Sequence, residues 1–368
     1  MNRPQHGGNL NWAATIAGCP VSALTDFSAS INPLGTPDSA IAAIINSTSQ
    51  LTAYPDPNYP QLRSHLARHH QIDPEFILPG NGSAELLTWA GRELAQHKFT
   101  YLITPAFSDY ARALNAFGGK ILPCPFCKGE QPFAPTGTDE HWFAPTIPIP
   151  QSPHPQSGLL LNNPHNPTGK LWTINEILPY LEEFELVVID EAFMDFLTPD
   201  TEQSLIPMVA EHPNLVILRS LTKFYSLPGL RIGYAIAHPE RLRRWQRWRD
   251  PWSLNTLAAA ATIAAIEDKE FQQQTWNWLA SARSRLFEQL NSIPGLQPFN
   301  SAANYLLVKT EISATRLQEK LLTDYRIVIR DCISFPELGD RYFRIAVRLP
   351  ADNDRLVLAI TAILKAGL

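Results

Sequence analysis

The sequence predicts an α/β fold: a large domain with a mostly parallel, helix-covered sheet, followed by a smaller α+β domain at the C-terminus. Short apolar runs alternate with amphipathic segments, a pattern that indicates βαβ units with strands buried on both faces. The chain has 368 residues, of which 45% are hydrophobic, too many residues for one ordinary core. We expect an N-terminal arm at residues 1–38, which belongs with the small domain, a large domain at 39–270 and the small domain at 271–368.

The composition excludes several classes of function. A net charge of −5 at pH 7 offers no basic face for nucleic acid. The longest apolar run, 257–266, is far shorter than a membrane span, and the first twenty residues lack the apolar core of a signal peptide. We therefore expect a cytoplasmic protein with neither a membrane nor a nucleic-acid partner.

The four cysteines do not suggest a disulfide framework. Cys124 and Cys127 form a lone Cys-x-x-Cys motif. A structural zinc site needs a second such pair, and a redox motif needs a helical context that is missing here. We expect no metal.

The first half of the chain alternates between helices and strands. Ile41, Ile44 and Ile45 keep helical spacing behind Ser39, which can cap a helix. The same reasoning predicts helices at 39–49, 61–70, 83–95 and 109–117 and strands at 99–104 and 120–124. The proline-rich stretch 124–157 predicts a semi-rigid surface excursion, to which we assign no function.

The second half begins with strands at 159–161, 186–189 and 215–218 and a helix at 173–183. Helices are predicted at 240–248, 253–266 and 271–290. The small domain follows the pattern βαββα, with strands at 305–309, 327–330 and 342–346 and helices at 315–322 and 353–365.

A lysine among small hydroxyl residues follows the strand 215–218. Lys223 has Ser220 and Thr222 before it, and Arg231 follows a Pro-Gly turn. An isolated lysine of this kind would be a surface residue, but a partly desolvated amine beside positive charge can attack a carbonyl, and hydroxyls and arginine bind phosphate. Pyridoxal phosphate held as a Schiff base requires this combination.

Two more polar side chains follow apolar strands, where parallel sheets place their ligands. The carboxylate of Asp190 can pair with a protonated pyridine nitrogen, and Asn166 can hydrogen-bond the phenolic oxygen of the same ring. Each residue alone is unspecific. In this order, Asn166, Asp190 and Lys223 match three different parts of pyridoxal phosphate, which we predict as the cofactor.

A glycine-rich turn opens the helix at 83–95. Gly82, Ser83 and Ala84 place free backbone N–H groups at a positive helix end, which attracts anions. Helices often begin this way, so the turn alone is unspecific. Together with Ser220 and Arg231 it predicts a complete cup for the cofactor phosphate.

The order of these motifs resembles the aminotransferase class I/II superfamily of fold-type I pyridoxal-phosphate enzymes. The motifs are Asn-Pro-His-Asn-Pro-Thr-Gly at 163–169, Asp-Glu-Ala at 190–192, Ser-Leu-Thr-Lys at 220–223 and Leu-Arg-Ile-Gly at 230–233. The likeness extends over nearly the whole chain, and it implies the same fold and cofactor.

The resemblance also implies roles for two aromatic residues. Phe107 would stack on the pyridine face, although a core phenylalanine is the alternative. Tyr54, in a Tyr-Pro turn, would reach across a homodimer interface to the phosphate of the partner's cofactor. A tyrosine packed within its own proline turn remains the alternative.

The N-terminal arm narrows the resemblance. His-Gly-Gly-Asn at 6–9 and Asp-Phe-Ser-Ala-Ser-Ile-Asn-Pro-Leu-Gly at 26–35 resemble the L-threonine-O-3-phosphate decarboxylases of cobalamin biosynthesis. That likeness implies that the arm folds over the active site, where His6 and Asn32 help to bind the substrate phosphate. The alternative is a frayed terminus.

Two arginines of the small domain complete the predicted site. Arg344 lies in an apolar strand, and a buried arginine needs an anionic partner. The superfamily uses this arginine to bind the substrate α-carboxylate in a bidentate manner, although a structural ion pair is possible. The resemblance implies that Arg330 meets the substrate phosphate with His6 and Asn32. Arg348 is expected to be structural.

The resemblance implies a decarboxylase that acts on L-threonine O-3-phosphate, a small phosphorylated amino acid, and releases (R)-1-aminopropan-2-yl phosphate and CO₂. Phe193 stands where many aminotransferases carry a tyrosine that bonds the ring oxygen, which favours decarboxylation over transamination. Histidinol-phosphate aminotransferase or a related transaminase is the main alternative. A non-catalytic module that binds pyridoxal phosphate is a second alternative.

Overall fold

The computed structural model describes residue 4 and residues 6–126, 147–149 and 153–367. The α-helices in these ranges are α1 (Leu10–Ala17), α2 (Asp38–Asn46), α3 (Pro60–His70), α4 (Ser83–Leu94), α5 (Ser108–Asn115), α6 (Ile174–Ile177), α7 (Pro179–Glu183), α8 (Leu221–Phe224), α9 (Pro239–Gln246), α10 (Thr256–Glu267), α11 (Lys269–Asn291), α12 (Ala314–Tyr325) and α13 (Pro350–Ala366). The strands are β1 (Thr25–Asp26), β2 (Ile77–Gly80), β3 (Phe99–Thr104), β4 (Ile121–Pro125), β5 (Ser157–Asn162), β6 (Leu186–Asp190), β7 (Leu215–Ser220), β8 (Gly233–Ala237), β9 (Leu296–Pro298), β10 (Tyr305–Thr310), β11 (Ile327–Val328), β12 (Arg330–Asp331) and β13 (Tyr342–Ala346).

The large sheet confirms the predicted α/β architecture. Its strand order is β2-β8-β7-β6-β5-β3-β4, and only β8 runs against its neighbours. Strands β5, β6 and β7 are buried at nearly every position, because apolar side chains pack on both faces of the sheet. The carboxyl ends of β5, β6 and β7 therefore meet at one edge, where the sequence places its polar residues.

The small sheet is antiparallel and has the order β12-β13-β10-β9. Strand β11 pairs instead with β1 of the N-terminal arm, in parallel, so that Thr25 faces Ile327. Helix α1 packs on α12 through a small cluster that includes Ala13 and Leu322. The arm is thus joined to the small domain by backbone pairing with β11 and by apolar packing on α12.

Several predicted elements differ from the structure. The helix expected at 173–183 is two short helices, because Pro179 lacks the N–H that a continuous helix would need. The strand expected at 327–330 is divided, since Val328 pairs with the arm and Arg330 with β13. Strands β1, β2 and β9 were not predicted. Ser39 does not cap α2: its hydroxyl donates to Asp268, and Pro37 occupies the cap position.

None of the helices among the described residues is long and apolar enough to span a bilayer. The same ranges hold no cluster of three or more histidine, cysteine or acidic residues that could bind a metal. Cys127 and most of the proline-rich stretch lie outside the described residues, so the predictions made for them stay predictions. Cys124 is buried in β4.

Candidate active site

A cavity of about 530 Å³ opens at the carboxyl ends of β5, β6 and β7, where the large sheet meets the arm and the small domain. Most of the predicted site residues line it. They are His6, Ser83, Phe107, Asn166, Asp190, Phe193, Lys223, Arg330 and Arg344. These residues come from every part of the chain, so the fold concentrates them in one place.

Lys223 lies on α8, the single helical turn that follows β7. Its amine donates a hydrogen bond to Thr222 Oγ1 at 2.9 Å, and that oxygen also lies 2.8 Å from Ser220 Oγ. Burial lowers the pKa of Lys223, Asp190 raises it, and the charges of Arg231 and Arg344 lower it; together they bring the pKa to about 8. The amine is therefore available as a nucleophile close to neutral pH.

This pKa predicts how the rate of cofactor capture depends on pH. Only the neutral amine attacks the aldehyde, so the rate at which the apoprotein takes up pyridoxal phosphate should rise about tenfold per pH unit below pH 8 and level off above it. Stopped-flow absorbance would measure it. Free Nα-acetyl-lysine is the control, because its rate should keep rising towards pH 10. A plateau at the same pH for both amines would contradict the prediction.

Asp190 ends β6 with both carboxylate oxygens hydrogen-bonded. The hydroxyl of Tyr110 donates to Oδ2 at 2.8 Å, and the backbone N–H of Ala192 donates to Oδ1 at 3.0 Å. Burial raises the pKa of Asp190, whereas these two hydrogen bonds and the charge of Lys223 lower it. The sequence analysis missed Tyr110. Tyr110 lies within the helix predicted at 109–117, and that pattern does not indicate a contact with Asp190.

The predicted phosphate cup is built on close backbone approaches. Gly82 caps α4 with φ +79°, and a Cβ there would lie 2.6 Å from Arg231 Nη2. A Cβ on Gly233 would likewise lie 2.6 Å from the backbone nitrogen of Ser83. Only glycine fits at both positions, and Ala84 follows in the first helical turn. The turn thus brings a helix N-terminus and a guanidinium together, a combination that suits a phosphate group.

These observations fit pyridoxal phosphate. The lysine amine makes no ion pair with a carboxylate of the described residues, and the buried Asp190 carboxylate faces the same cavity. The glycine cradle supplies an anion site beside them. Phe107, whose ring meets that of Tyr110 edge-on at 5.6 Å, provides an aromatic wall.

Arg344 is 9% exposed and has no ion-pair partner among the described residues. It donates to Asn166 Oδ1 at 2.5 Å and to the backbone oxygen of Ser28 at 3.3 Å, and it lies over the ring of Tyr305 at 4.9 Å. Its Nε is buried without a partner. Among the residues that the structure describes, none forms the structural ion pair that was the alternative. The Arg344 guanidinium can therefore meet an anion in the cavity.

Arg330 stands directly opposite Arg344 in the β12–β13 pair. It donates to the hydroxyl of Ser334 at 2.6 Å and to the backbone oxygen of Pro4 at 3.1 Å. Like charges on facing strand positions repel each other, and burial together with the charge of Arg344 lowers the pKa of Arg330. The repulsion would be relieved by an anionic ligand between the two side chains. Arg348, by contrast, pairs with Asp352 at 3.0 Å, so its structural role is confirmed.

The arm lies against the cavity. Gly8 donates its N–H to the Ser28 hydroxyl at 2.8 Å, and a Cβ on Gly7 would lie only 2.1 Å from the backbone carbonyl oxygen of Ser28. The ring of His6 is 5.3 Å from that of Phe107. Partial burial and the charge of Arg330 lower the pKa of His6, which favours its neutral form.

Asn32 requires a correction. It is 1% exposed and does not line the cavity. Its amide donates to the backbone oxygen of Phe224 at 2.8 Å and to Thr275 Oγ1 at 2.9 Å, while its Oδ1 accepts from Leu34. Its backbone N–H donates to the oxygen of Lys223. Asn32 therefore fastens the arm to the lysine turn, and its side chain has no hydrogen-bonding capacity directed at a substrate.

Tyr54 lies outside the cavity of its own chain. Its side chain is 81% exposed and packs on Trp252, with 4.7 Å between ring centroids. A single chain does not test whether this tyrosine serves a second copy. That role stays a prediction.

Known proteins resemble the chain over nearly its whole length. Residues 22–360 match the family described as aminotransferase class I and II. The threonine-phosphate decarboxylase of Salmonella typhimurium is 37% identical over 364 residues, which cover 98% of this chain and 96% of that protein. Histidinol-phosphate aminotransferase 1 of Mannheimia succiniciproducens is 30% identical, covering 94% and 91%. The crystal structure of L-threonine-O-3-phosphate decarboxylase from Porphyromonas gingivalis has the same fold, with a TM-score of 0.77, 23% identity, and coverage of 92% and 99%.

Proposed function

Because the chain belongs to the aminotransferase class I and II family, we propose that it is a pyridoxal-phosphate-dependent decarboxylase of L-threonine O-3-phosphate. It releases CO₂ and (R)-1-aminopropan-2-yl phosphate, a precursor of the cobalamin side chain. The 37% identity to a threonine-phosphate decarboxylase supports this substrate. We also propose the cytoplasm as its location, as the sequence analysis expected.

The observation that carries the proposal is the cross-strand pair Arg330 and Arg344. Both guanidinium groups line one cavity that also contains Lys223 and Asp190. L-Threonine O-3-phosphate bears a carboxylate and a phosphate only a few bonds apart, so one small molecule can meet both arginines. Bidentate contacts of arginine with such anions are strong and directional.

The chain's own residues have separable tasks. When bound, the cofactor supplies an electron sink for the bond that breaks at Cα. Arg344 binds the α-carboxylate, and Arg330 with His6 binds the phosphate; the two anchors set which Cα bond is presented for cleavage. They would also hold the ester C–O bond out of alignment with the electrons left at Cα, because the phosphate would otherwise be eliminated. Lys223, with a pKa of about 8, returns a proton to Cα after CO₂ leaves.

The main competing function is that of a transaminase such as histidinol-phosphate aminotransferase. A histidinol-phosphate aminotransferase that is 30% identical to this chain over nearly its full length favours that function. The proposed cofactor site would serve either reaction. Phe193 weighs against it. This side chain is buried, packs edge-on against Tyr305 at 5.0 Å, and has no hydroxyl to donate to the ring oxygen of the cofactor.

The deciding experiment incubates the cofactor-loaded protein with L-threonine O-3-phosphate and no keto acid. We expect continuous and equimolar release of CO₂ and aminopropanol phosphate, with the cofactor unchanged. No CO₂, but turnover of histidinol phosphate once 2-oxoglutarate is added, would establish the transaminase. Cofactor binding without any product would indicate a non-catalytic module.

We also propose a homodimer in which Tyr54 serves the partner's phosphate cup. Large apolar side chains are exposed in the chain segment that precedes it, at Ile41, Ile45 and Leu51, and at Trp252, which packs on Tyr54. Exposed apolar surface of this kind is typical of an interface. Sedimentation should give twice the chain mass of 41.2 kDa.

Mixed dimers test the role of Tyr54. Tyr54→Ala and Lys223→Ala should each be nearly inactive alone. When they are refolded together, half of the dimers should contain one intact site, so about a quarter of wild-type activity should return. No recovery would show that Tyr54 acts within its own chain. Mixing Lys223→Ala with itself is the control.

A further inference from the structure

Tyr110 is a buried tyrosine whose hydroxyl points at the candidate site. It lies on α5, is 2% exposed, and lines the cavity. Its hydroxyl donates to Asp190 Oδ2 at 2.8 Å, while the N–H of Ala192 donates to Oδ1 at 3.0 Å. Both oxygens of the carboxylate are thereby restrained, so its plane and direction are set by two contacts from different elements.

The electrostatics of the pair explain what the hydroxyl contributes. Burial and the adjacent Asp190 charge raise the pKa of Tyr110 well above its ordinary range, so the phenol keeps its proton and always donates. Burial also raises the pKa of Asp190, and among the contacts that lower this pKa the Tyr110 hydrogen bond has the largest effect. Without this donor, the buried carboxylate would protonate at a higher pH.

The ring of Tyr110 has a second contact with the site. It meets Phe107 edge-on, with 5.6 Å between centroids. Phe107 lines the cavity and lies 5.3 Å from the ring of His6 in the arm. One side chain thus contacts both the carboxylate and the aromatic wall proposed for the cofactor ring.

We propose that Tyr110 is a positioning residue: its hydroxyl keeps the Asp190 carboxylate ionised and oriented for the cofactor's pyridine nitrogen, and its ring supports Phe107. The inference rests on the proposed cofactor, but it does not depend on which reaction follows. Cofactor binding therefore tests it separately from the decarboxylase proposal.

The test compares Tyr110→Phe with Tyr101→Phe. The second variant is a matched control, because Tyr101 is also buried and its hydroxyl accepts a hydrogen bond from the backbone N–H of His154, away from the cavity. Removing a hydrogen bond to a charged group should weaken pyridoxal-phosphate binding by Tyr110→Phe about tenfold or more. Binding is measured by titrating the apoproteins and following the visible absorbance of the bound cofactor.

The pH profile of binding separates positioning from simple packing. Cofactor binding should weaken at low pH, where Asp190 is protonated; we call this part of the profile the acid limb. Loss of the donor raises the pKa of Asp190, so the acid limb should move to higher pH in Tyr110→Phe and stay in place in Tyr101→Phe. Asp190→Asn, which cannot ionise, should lack this limb and should make the added Tyr110→Phe change nearly silent. Unchanged affinity and an unchanged limb in Tyr110→Phe, or equal losses in both tyrosine variants, would overturn the proposal.

Discussion

Lys223→Ala loses at least about 10³-fold in the rate of CO₂ release from L-threonine O-3-phosphate, because the variant lacks both the nucleophile that holds the cofactor and the proposed proton donor. The visible absorbance of the lysine-bound cofactor disappears as well. Lys223→Arg behaves in the same way, since a guanidinium keeps the charge but does not lose its proton. Absorbance spectra and CO₂ release measure the two effects.

Lys170→Ala is the matched control. Lys170 is also half-buried, and its ammonium lies 5.4 Å from the centre of the Trp172 ring, outside the cavity. This variant should keep wild-type turnover. Small primary amines added to Lys223→Ala should restore part of the activity, because they supply a mobile proton carrier. Retention of activity in Lys223→Ala without added amine would disprove the assignment.

The second large effect concerns the two arginines. Arg344→Lys and Arg330→Lys should each lower kcat/KM for L-threonine O-3-phosphate by roughly 100-fold, because lysine keeps the charge but cannot make the bidentate contact. Arg348→Lys is the control on the same chain segment. It should change turnover little, as Arg348 already pairs with Asp352.

Fragments of the substrate identify which arginine meets which anion. L-Threonine has the carboxylate and lacks the phosphate, whereas O-phosphoethanolamine has the phosphate and lacks the carboxylate. Inhibition by L-threonine should weaken most in Arg344→Lys, and inhibition by O-phosphoethanolamine should weaken most in Arg330→Lys. The reverse pattern would exchange the two assignments, and equal losses would place both arginines on one anion.

Sequence reasoning succeeded where function follows from local chain order. Asn166, Asp190 and Lys223 each come just after an apolar strand, and the carboxyl ends of parallel strands meet at one sheet edge. Their convergence on one cavity could therefore be predicted without coordinates. The glycines of the phosphate cup were accessible for a related reason, because a glycine-rich turn before a helix exposes free N–H groups.

It failed where a side chain's role depends on a distant partner. Asn32 stands in a motif that suggested substrate binding. Its side-chain amide instead donates a hydrogen bond to the backbone oxygen of Phe224, which lies 192 positions away in the chain. Tyr110 seemed an ordinary residue of an amphipathic helix, and it bonds Asp190 across 80 positions. No periodicity or motif encodes such pairs.

The sequence by itself determined the fold class, the cofactor chemistry and most of the residues that supply it, because these depend on residue type and on position at strand and helix ends. The tertiary structure alone decided which polar groups are already engaged and which still face the cavity. It put Arg330 opposite Arg344, used the hydrogen bonds of Asn32 within the fold, and gave Asp190 its second donor. A hydrogen bond acts only over the few ångströms between its two atoms, and folding sets those distances.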